Sequence, residues 1–266
     1  MKKVILLACC SILIFSVIAN AAGGVKKKRP LPHDYGKVVL NNYSERAHMA
    51  PVVFDHWLHR SKFTCRLCHV DLAFAMKTGT TGIKASDNMK GYYCGTCHNG
   101  KMTHGSRTVF AACSKTPGDD FGRCERCHSQ GKTVKKDYDF YTYTEKFPKE
   151  RFGNGINWEK AEADGMIRLV DFLEGVSIKR TAMTVQKDFS LGPNVKGMRE
   201  IIFSHQKHTV WNGCEVCHPE IFVGVKKGAT KYSMVEIFEG KYCGVCHTDV
   251  AFPLTDCQRC HTKQVQ

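Results

Sequence analysis

The sequence predicts two copies of one small module, mostly irregular, with short α-helices, little β structure and an interior built around bound groups. A recurring five-residue motif, a gapless internal repeat and the small number of residues per motif predict it. Cys-x-x-Cys-His begins at Cys65, Cys94, Cys124, Cys214, Cys243 and Cys257, and each copy closes on its own histidine: His69, His98, His128, His218, His247 and His261. Two thiols two residues apart, followed at once by an imidazole, match the attachment signal for c-type haem. The second thiols are Cys68, Cys97, Cys127, Cys217, Cys246 and Cys260. Each pair forms thioethers to the two vinyl groups of a porphyrin, and the histidine ligates the iron from the proximal side. Zinc ribbons and dithiol redox sites also use Cys-x-x-Cys. Neither requires a histidine directly after the second cysteine, six times in six. Six covalent haems imply about forty residues each, so ordinary expectations of helix and strand content do not apply.

Along the chain, the first 21 residues read as a secretory signal. Lys2 and Lys3 precede an apolar run from Val4 to Ile18, and Ala19-Asn20-Ala21 is a small-x-small cleavage site. Leu6-Leu7-Ala8-Cys9 resembles a lipoprotein site but leaves too short an apolar stretch before it. No later segment reaches the roughly 18 apolar residues of a membrane span. Residues 22–50 follow as a basic tail, with VKKKRPLP from Val25 to Pro32 expected to be extended.

The repeat organises the rest. Residues 52–100 align with 201–249 at a constant offset of 149. Phe54-x-His56-x-x-His59 matches Phe203-x-His205-x-x-His208, and Gly91-x-Tyr93-Cys94-Gly95 matches Gly240-x-Tyr242-Cys243-Gly244. Both copies then reach a third motif, the first after 25 residues beyond His98 and the second after nine beyond His247. Residues 51–130 and 199–266 are therefore two three-haem modules, joined by a haem-free connector over 131–198. Within it, Asp137 to Tyr143 alternates as a half-exposed strand would, and Trp158 to Phe172 is expected to hold one or two short helices split near Gly165.

Charge and cysteine content support the same reading. The formal charge of +14 resembles that of nucleic-acid-binding proteins. Losing Lys2 and Lys3 with the signal leaves +12. Twelve haem propionates bring the ferrous protein to about zero, and six ferric irons return it to about +6. The basic excess thus balances propionates, and no nucleic-acid partner is expected. Of 15 cysteines, twelve belong to the motifs and Cys9 and Cys10 to the signal. Cys113 is left over, so no intramolecular disulfide is expected.

Each iron has a distal position, and its occupant separates a carrier from an enzyme. Outside the motifs lie His33, His48, His56, His59, His104, His205 and His208. Four of these form the pair at i, i+3 that recurs at the same distance from the first motif of each module. On a short helix the two rings project from one face at different heights and reach two haems.

These residues resemble the small class III triheme and tetraheme cytochromes, and especially longer chains that string triheme modules together. The resemblance covers residues 52–128 and 201–261. It implies that His56 serves the haem on Cys65/Cys68 and His59 the haem on Cys94/Cys97. Likewise His205 serves the haem on Cys214/Cys217 and His208 the haem on Cys243/Cys246. Small members have a histidine four residues before the second motif for the third haem, where this chain has Lys90 and Glu239. Some multi-module relatives use methionine there, which makes Met234 the candidate in the second module. Ala85 occupies the equivalent place in the first, where Met89, His104 and His48 compete with an open site. Methionine raises a haem's potential relative to histidine.

The sequence thus reads as an exported hexahaem c-type cytochrome, an electron carrier rather than an enzyme. It resembles cytochromes of bacteria that respire on metals or other extracellular acceptors. Its implied partners are a quinol-oxidising inner-membrane complex and outer-membrane cytochromes. Its expected place is the periplasm, with the outer membrane or cell exterior as alternatives. A reductase with one open haem site and a structural subunit of a conduit or filament are the rival readings.

Overall fold

The computed structural model describes residues 29–113, 124–129, 139–181, 183–185, 187–192, 197–224 and 226–263. The chain divides into two units, 1–31 and 32–266. Only residues 29–31 of the first are described, so the signal sequence and most of VKKKRPLP lie outside the described residues.

Each module opens with a hairpin that leads into the histidine pair. Strand β1 (Lys37–Leu40) pairs antiparallel with β2 (Val52–Asp55), Val38 opposite Phe54. The stretch read as a tail therefore supplies a strand to the first module. Helix α1 (His56–Arg60) follows β2 directly. Further on, α2 (Ala85–Met89) packs on α3 (Cys94–Cys97), which carries the second motif. A two-residue hairpin, β3 (Thr103–His104) with β4 (Arg107–Thr108), lies in the long loop after His98.

The connector is a packing core. Trp57 of α1 meets Phe140 edge-on with ring centroids 5.2 Å apart. Phe140, Phe147, Ile156, Trp158, Ala161 and Ile167 of the connector cluster with Trp57 and with Trp211 of the second module. Helix α4 (Phe140–Tyr143) stands where strand alternation was expected. Asp139 caps it by accepting from the Thr142 N–H at 3.0 Å, and the i, i+3 spacing puts Phe140 and Tyr143 on the side facing Trp57. Asp137 lies outside the described residues. Helix α5 (Trp158–Ala163) forms as expected and ends at Asp164, before Gly165 at φ +70°. The chain beyond runs extended rather than as a second helix, because Val170 exchanges backbone bonds with Lys62 (2.8 Å) and Thr64 (3.1 Å) of the first module.

The second module repeats the plan. Strand β5 (Phe189–Leu191) pairs with β6 (Glu200–Phe203), Phe189 opposite Phe203, and α6 (His205–Asn212) follows. Helix α7 (Met234–Phe238) packs on α8 (Gly244–His247), and α9 (Cys257–Cys260) leads into β7 (His261–Lys263), which pairs with β6. The repeated glycine after the first cysteine of the second motif has a steric cause. A Cβ on Gly95 would lie 1.9 Å from the Asn88 carbonyl, and one on Gly244 would lie 2.0 Å from that of Ile237. Helices of four to eight residues and strands of two to four match the expected irregular fold with little β.

Candidate functional site

The geometry of the histidines carries the chemistry. His56 Nδ1 lies 2.8 Å from the Gly36 carbonyl and His59 Nδ1 3.1 Å from that of Asp55. In the second module His205 and His208 use the Lys187 and Ser204 carbonyls at 3.2 and 2.7 Å. The motif histidines do the same. His69 uses Phe74 O (2.8 Å), His128 uses Ala50 O (2.6 Å) and His218 uses Phe222 O (2.7 Å). His247 and His261 use Phe252 O (3.2 Å) and Arg199 O (2.8 Å). A carbonyl only accepts, so each Nδ1 carries the hydrogen and each neutral ring keeps its lone pair on Nε2. This is how a metal-ligating imidazole is oriented. His98 departs from the pattern. The Phe110 carbonyl acts on it electrostatically, but its buried Nδ1 has no hydrogen bond of regular geometry.

The rings also meet in pairs. His59 and His98 have centroids 6.3 Å apart, and His208 and His247 are again 6.3 Å apart. Two imidazole–metal bonds of about 2.0 Å and two ring radii of about 1.1 Å come to about 6.2 Å. Each pair therefore leaves room for one iron. His69, the proximal candidate of the first motif, acts electrostatically on His56. His56 and His59 of one helix thus lie toward the histidines of two different motifs. Phe54 packs both His56 and His59, at 4.8 and 4.3 Å, and Phe203 packs His205 and His208 at 5.0 and 4.5 Å.

Burial sets the protonation states. It pushes His56, His59 and His247 down to about 4, and lowers His69, His98 and His208. Such rings are neutral at pH 7, as ligation requires. Burial moves the thiols the other way. Cys68, Cys94 and Cys246 rise to about 12 and Cys243 to about 11. A dithiol redox site needs a lowered thiol pKa, so these cysteines are unsuited to that chemistry.

The third motifs dock identically. Val52 bridges His128 and Ile201 pairs with His261, positions 149 residues apart on the strand side. Their Nδ1 acceptors, Ala50 and Arg199, are also 149 apart. The distal candidates differ. Met234 is the first residue of α7 and 41% exposed, whereas Met89 is the last residue of α2 and 40% exposed. His104 lies in β3 with its ring 6.2 Å from Phe63, and His48 sits exposed in a left-handed turn at φ +53°. Cys113 lies 3.7 Å from the Asn88 side-chain amide.

Sequence reading missed the hairpin strands β1 and β5, whose neighbouring backbone supplies the Gly36 and Lys187 carbonyls. It also missed the packing of Arg60 against the Trp158 and Trp211 rings. The available signal was tryptophan. The chain has three, Trp57, Trp158 and Trp211, and all three join one cluster around α1.

The sequence profile described as cytochrome c7 and related cytochrome c matches residues 52–129 and 201–262. Among solved structures, a c7-type three-heme cytochrome domain is 34% identical over 30% of this chain and 99% of its own, with a TM-score of 0.26. The C-terminal hexaheme fragment of GSU1996 is 23% identical over 88% of this chain and 99% of its own, TM-score 0.26. Dodecaheme cytochrome c GSU1996 is 23% identical over 90% of this chain and 76% of its own, TM-score 0.27. Comparison with curated protein sequences finds no match. Among the described residues, no helix is long and apolar enough to cross a membrane.

Proposed function

The chain belongs to the family of cytochrome c7 and related cytochromes c, and on that premise we propose that it is an exported carrier of electrons holding six c haems in two three-haem modules. It is a multihaem c-type cytochrome, and electron transfer is the function its family implies. When bound, haem supplies the one-electron ferric/ferrous couple. The chain's own residues supply attachment, axial atoms and the surroundings that tune potential.

The observation that carries this reading is the 6.3 Å separation of His59 from His98 and of His208 from His247, with three of these four rings pinned through Nδ1. In it, His59 and His98 hold the haem on Cys94/Cys97, and His208 and His247 the haem on Cys243/Cys246. His56 with His69 and His205 with His218 hold the first haem of each module. His128 and His261 are proximal to the third haems, with Met234 distal in the second module and Met89 ahead of His104 in the first. The donor would be a quinol-oxidising inner-membrane system, and the acceptors periplasmic, outer-membrane or extracellular. The protein would act as a carrier rather than as a reductase.

Two measurements test it. Intact mass should show six covalent haems on the mature chain. Carbon monoxide added to the fully reduced protein should leave the spectrum unchanged if all axial sites are filled. A change worth one haem would favour a reductase with an open site at Cys124/Cys127, where Met89, His104 and His48 compete.

A further inference from the structure

The two modules touch where their haem-bearing segments meet, and a cation sits at the contact. Arg60 ends α1, directly after His59. Its guanidinium carbon lies 5.4 Å from the Trp158 ring centroid and 5.0 Å from that of Trp211. One nitrogen donates to the Val250 carbonyl of the second module at 3.3 Å. Its Nε is buried and has no hydrogen-bond partner among the described residues. The carboxylate that acts on it, Glu159, is instead held by Lys207 at 2.6 Å and Arg259 at 3.0 Å. Cys65 of the first module packs against the same tryptophan cluster, and the Val250 N–H donates to the Cys246 carbonyl of the second module at 3.1 Å. One attachment cysteine of each module is thus connected to Arg60, Cys65 through the tryptophans and Cys246 through Val250.

The surroundings hold this contact closed. The Tyr35 hydroxyl donates to the Ala251 carbonyl. Gly36 lies against both modules, where a Cβ would make ordinary contact with Val250 Cα at 3.7 Å and His56 Cβ at 3.4 Å. Gly213, directly before Cys214, lies against Arg66 of the first motif, where a Cβ would come within 2.5 Å of the Arg66 side chain. Arg180 of the connector ties Asp71 of the first module (2.7 Å) to Glu215 of the second.

We propose that Arg60 is the junction cation of the electron path, raising together the potentials of the haems on Cys65/Cys68 and Cys243/Cys246, so that electrons cross between the modules there. The inference rests on the six-haem reading above. The step moves one electron from a ferrous to a ferric iron, with no bond made or broken and no proton required. Reduction adds one negative charge to a haem, and a fixed cation with little solvent around it stabilises that charge more than water does. A guanidinium stays protonated in proteins, so the effect does not depend on pH. The two indole faces offset part of its desolvation without neutralising it. Arg60 is a positioning and tuning residue and ligates nothing.

The test is a potentiometric titration of the holoprotein as wild type, Arg60→Lys, Arg60→Met and Arg60→Gln. Intact mass first counts haems on the wild type. Fewer than six there would overturn the six-haem reading, whatever the variants do. In both neutral variants we expect two of the six midpoints to fall by about tenfold in the reduction equilibrium, equal to about 59 mV for one electron. Arg60→Lys should stay near wild type. Unchanged midpoints in the neutral variants, or a Lys variant shifted as far as the Met variant, would overturn the proposal. If neither neutral variant loads six haems, Arg60→Lys decides. A loaded protein with wild-type midpoints shows that the charge is needed, and a Lys variant that also fails to load shows a packing role instead.

Discussion

The two modules share a sequence pattern but differ in length after the second motif, and their comparison separates what the repeat must keep from what it can vary. In the first module 25 residues separate His98 from Cys124, against nine between His247 and Cys257 in the second. The third motif nevertheless docks on the same strand position, Val52 with His128 and Ile201 with His261. Among the described residues of this segment, part of the extra length forms the β3–β4 hairpin. Loop closure costs little per added residue. In the proposed assignment His128 and His261 are axial ligands, for which a misplaced ring would forfeit the metal, so the docking is kept while the length between the motifs varies.

The largest expected effect breaks the likeness at its centre. His59→Ala and His208→Ala should each remove one axial ligand, and carbon monoxide should then bind one haem equivalent of the reduced protein. Equal effects in the two modules would confirm the likeness. Carbon monoxide binding to one variant and not the other would show that the 6.3 Å pairs are not equivalent centres.

Next in size are Gly95→Ala and Gly244→Ala. Each forces a methyl group against a backbone carbonyl, at 1.9 and 2.0 Å respectively. Overpacking of this kind costs about 1 to 3 kcal/mol. Denaturant midpoints should fall by similar amounts in both.

Acid should act on both modules in one direction. Folded His56, His59 and His247 are held near 4 by burial, whereas unfolded rings titrate near 6.5. The unfolded chain binds more protons between those values. Stability is therefore complete above about pH 6.5 and falls as the pH drops towards 4, with iron ligation extending the loss to lower pH. Denaturant midpoints of the ferric holoprotein measured across that range check the sign.

The third haems sharpen the contrast. Met234→Ala should lower one of the six midpoints and remove its own contribution to the sulfur–iron charge-transfer band, and Met89→Ala should do the same only if the first module also uses methionine. The smallest effect lies in the caps. Ser204 caps α6 by accepting from the Lys207 N–H at 3.3 Å, while Asp55, its counterpart before α1, makes no side-chain cap bond. Ser204→Ala should cost about 1 kcal/mol, read from thermal unfolding.

How much was legible follows from the range of each interaction. The histidine pairs were readable because helical spacing places them before any tertiary contact forms. The Gly-x-Tyr-Cys-Gly block was readable too, and its strain is local: Tyr93 and Tyr242 both sit at positive φ, +48° and +53°. The helix at Phe140 was not readable, because alternation over the seven residues Asp137 to Tyr143 does not exclude a single helical turn at its end, and contact with Trp57 decides between them. The carbonyls that orient the rings were equally hidden, since a backbone oxygen carries no residue signature.

The sequence by itself determined the motifs on which the proposed chemistry rests: six Cys-x-x-Cys-His copies, their threefold grouping and the recurrence at 149, all set by residue type and short spacing. Only the tertiary structure decided how the modules meet. Arg60, Trp158, Trp211 and Val250 are far apart in sequence, and burial brings them together because the connector supplies the apolar core that neither module supplies alone.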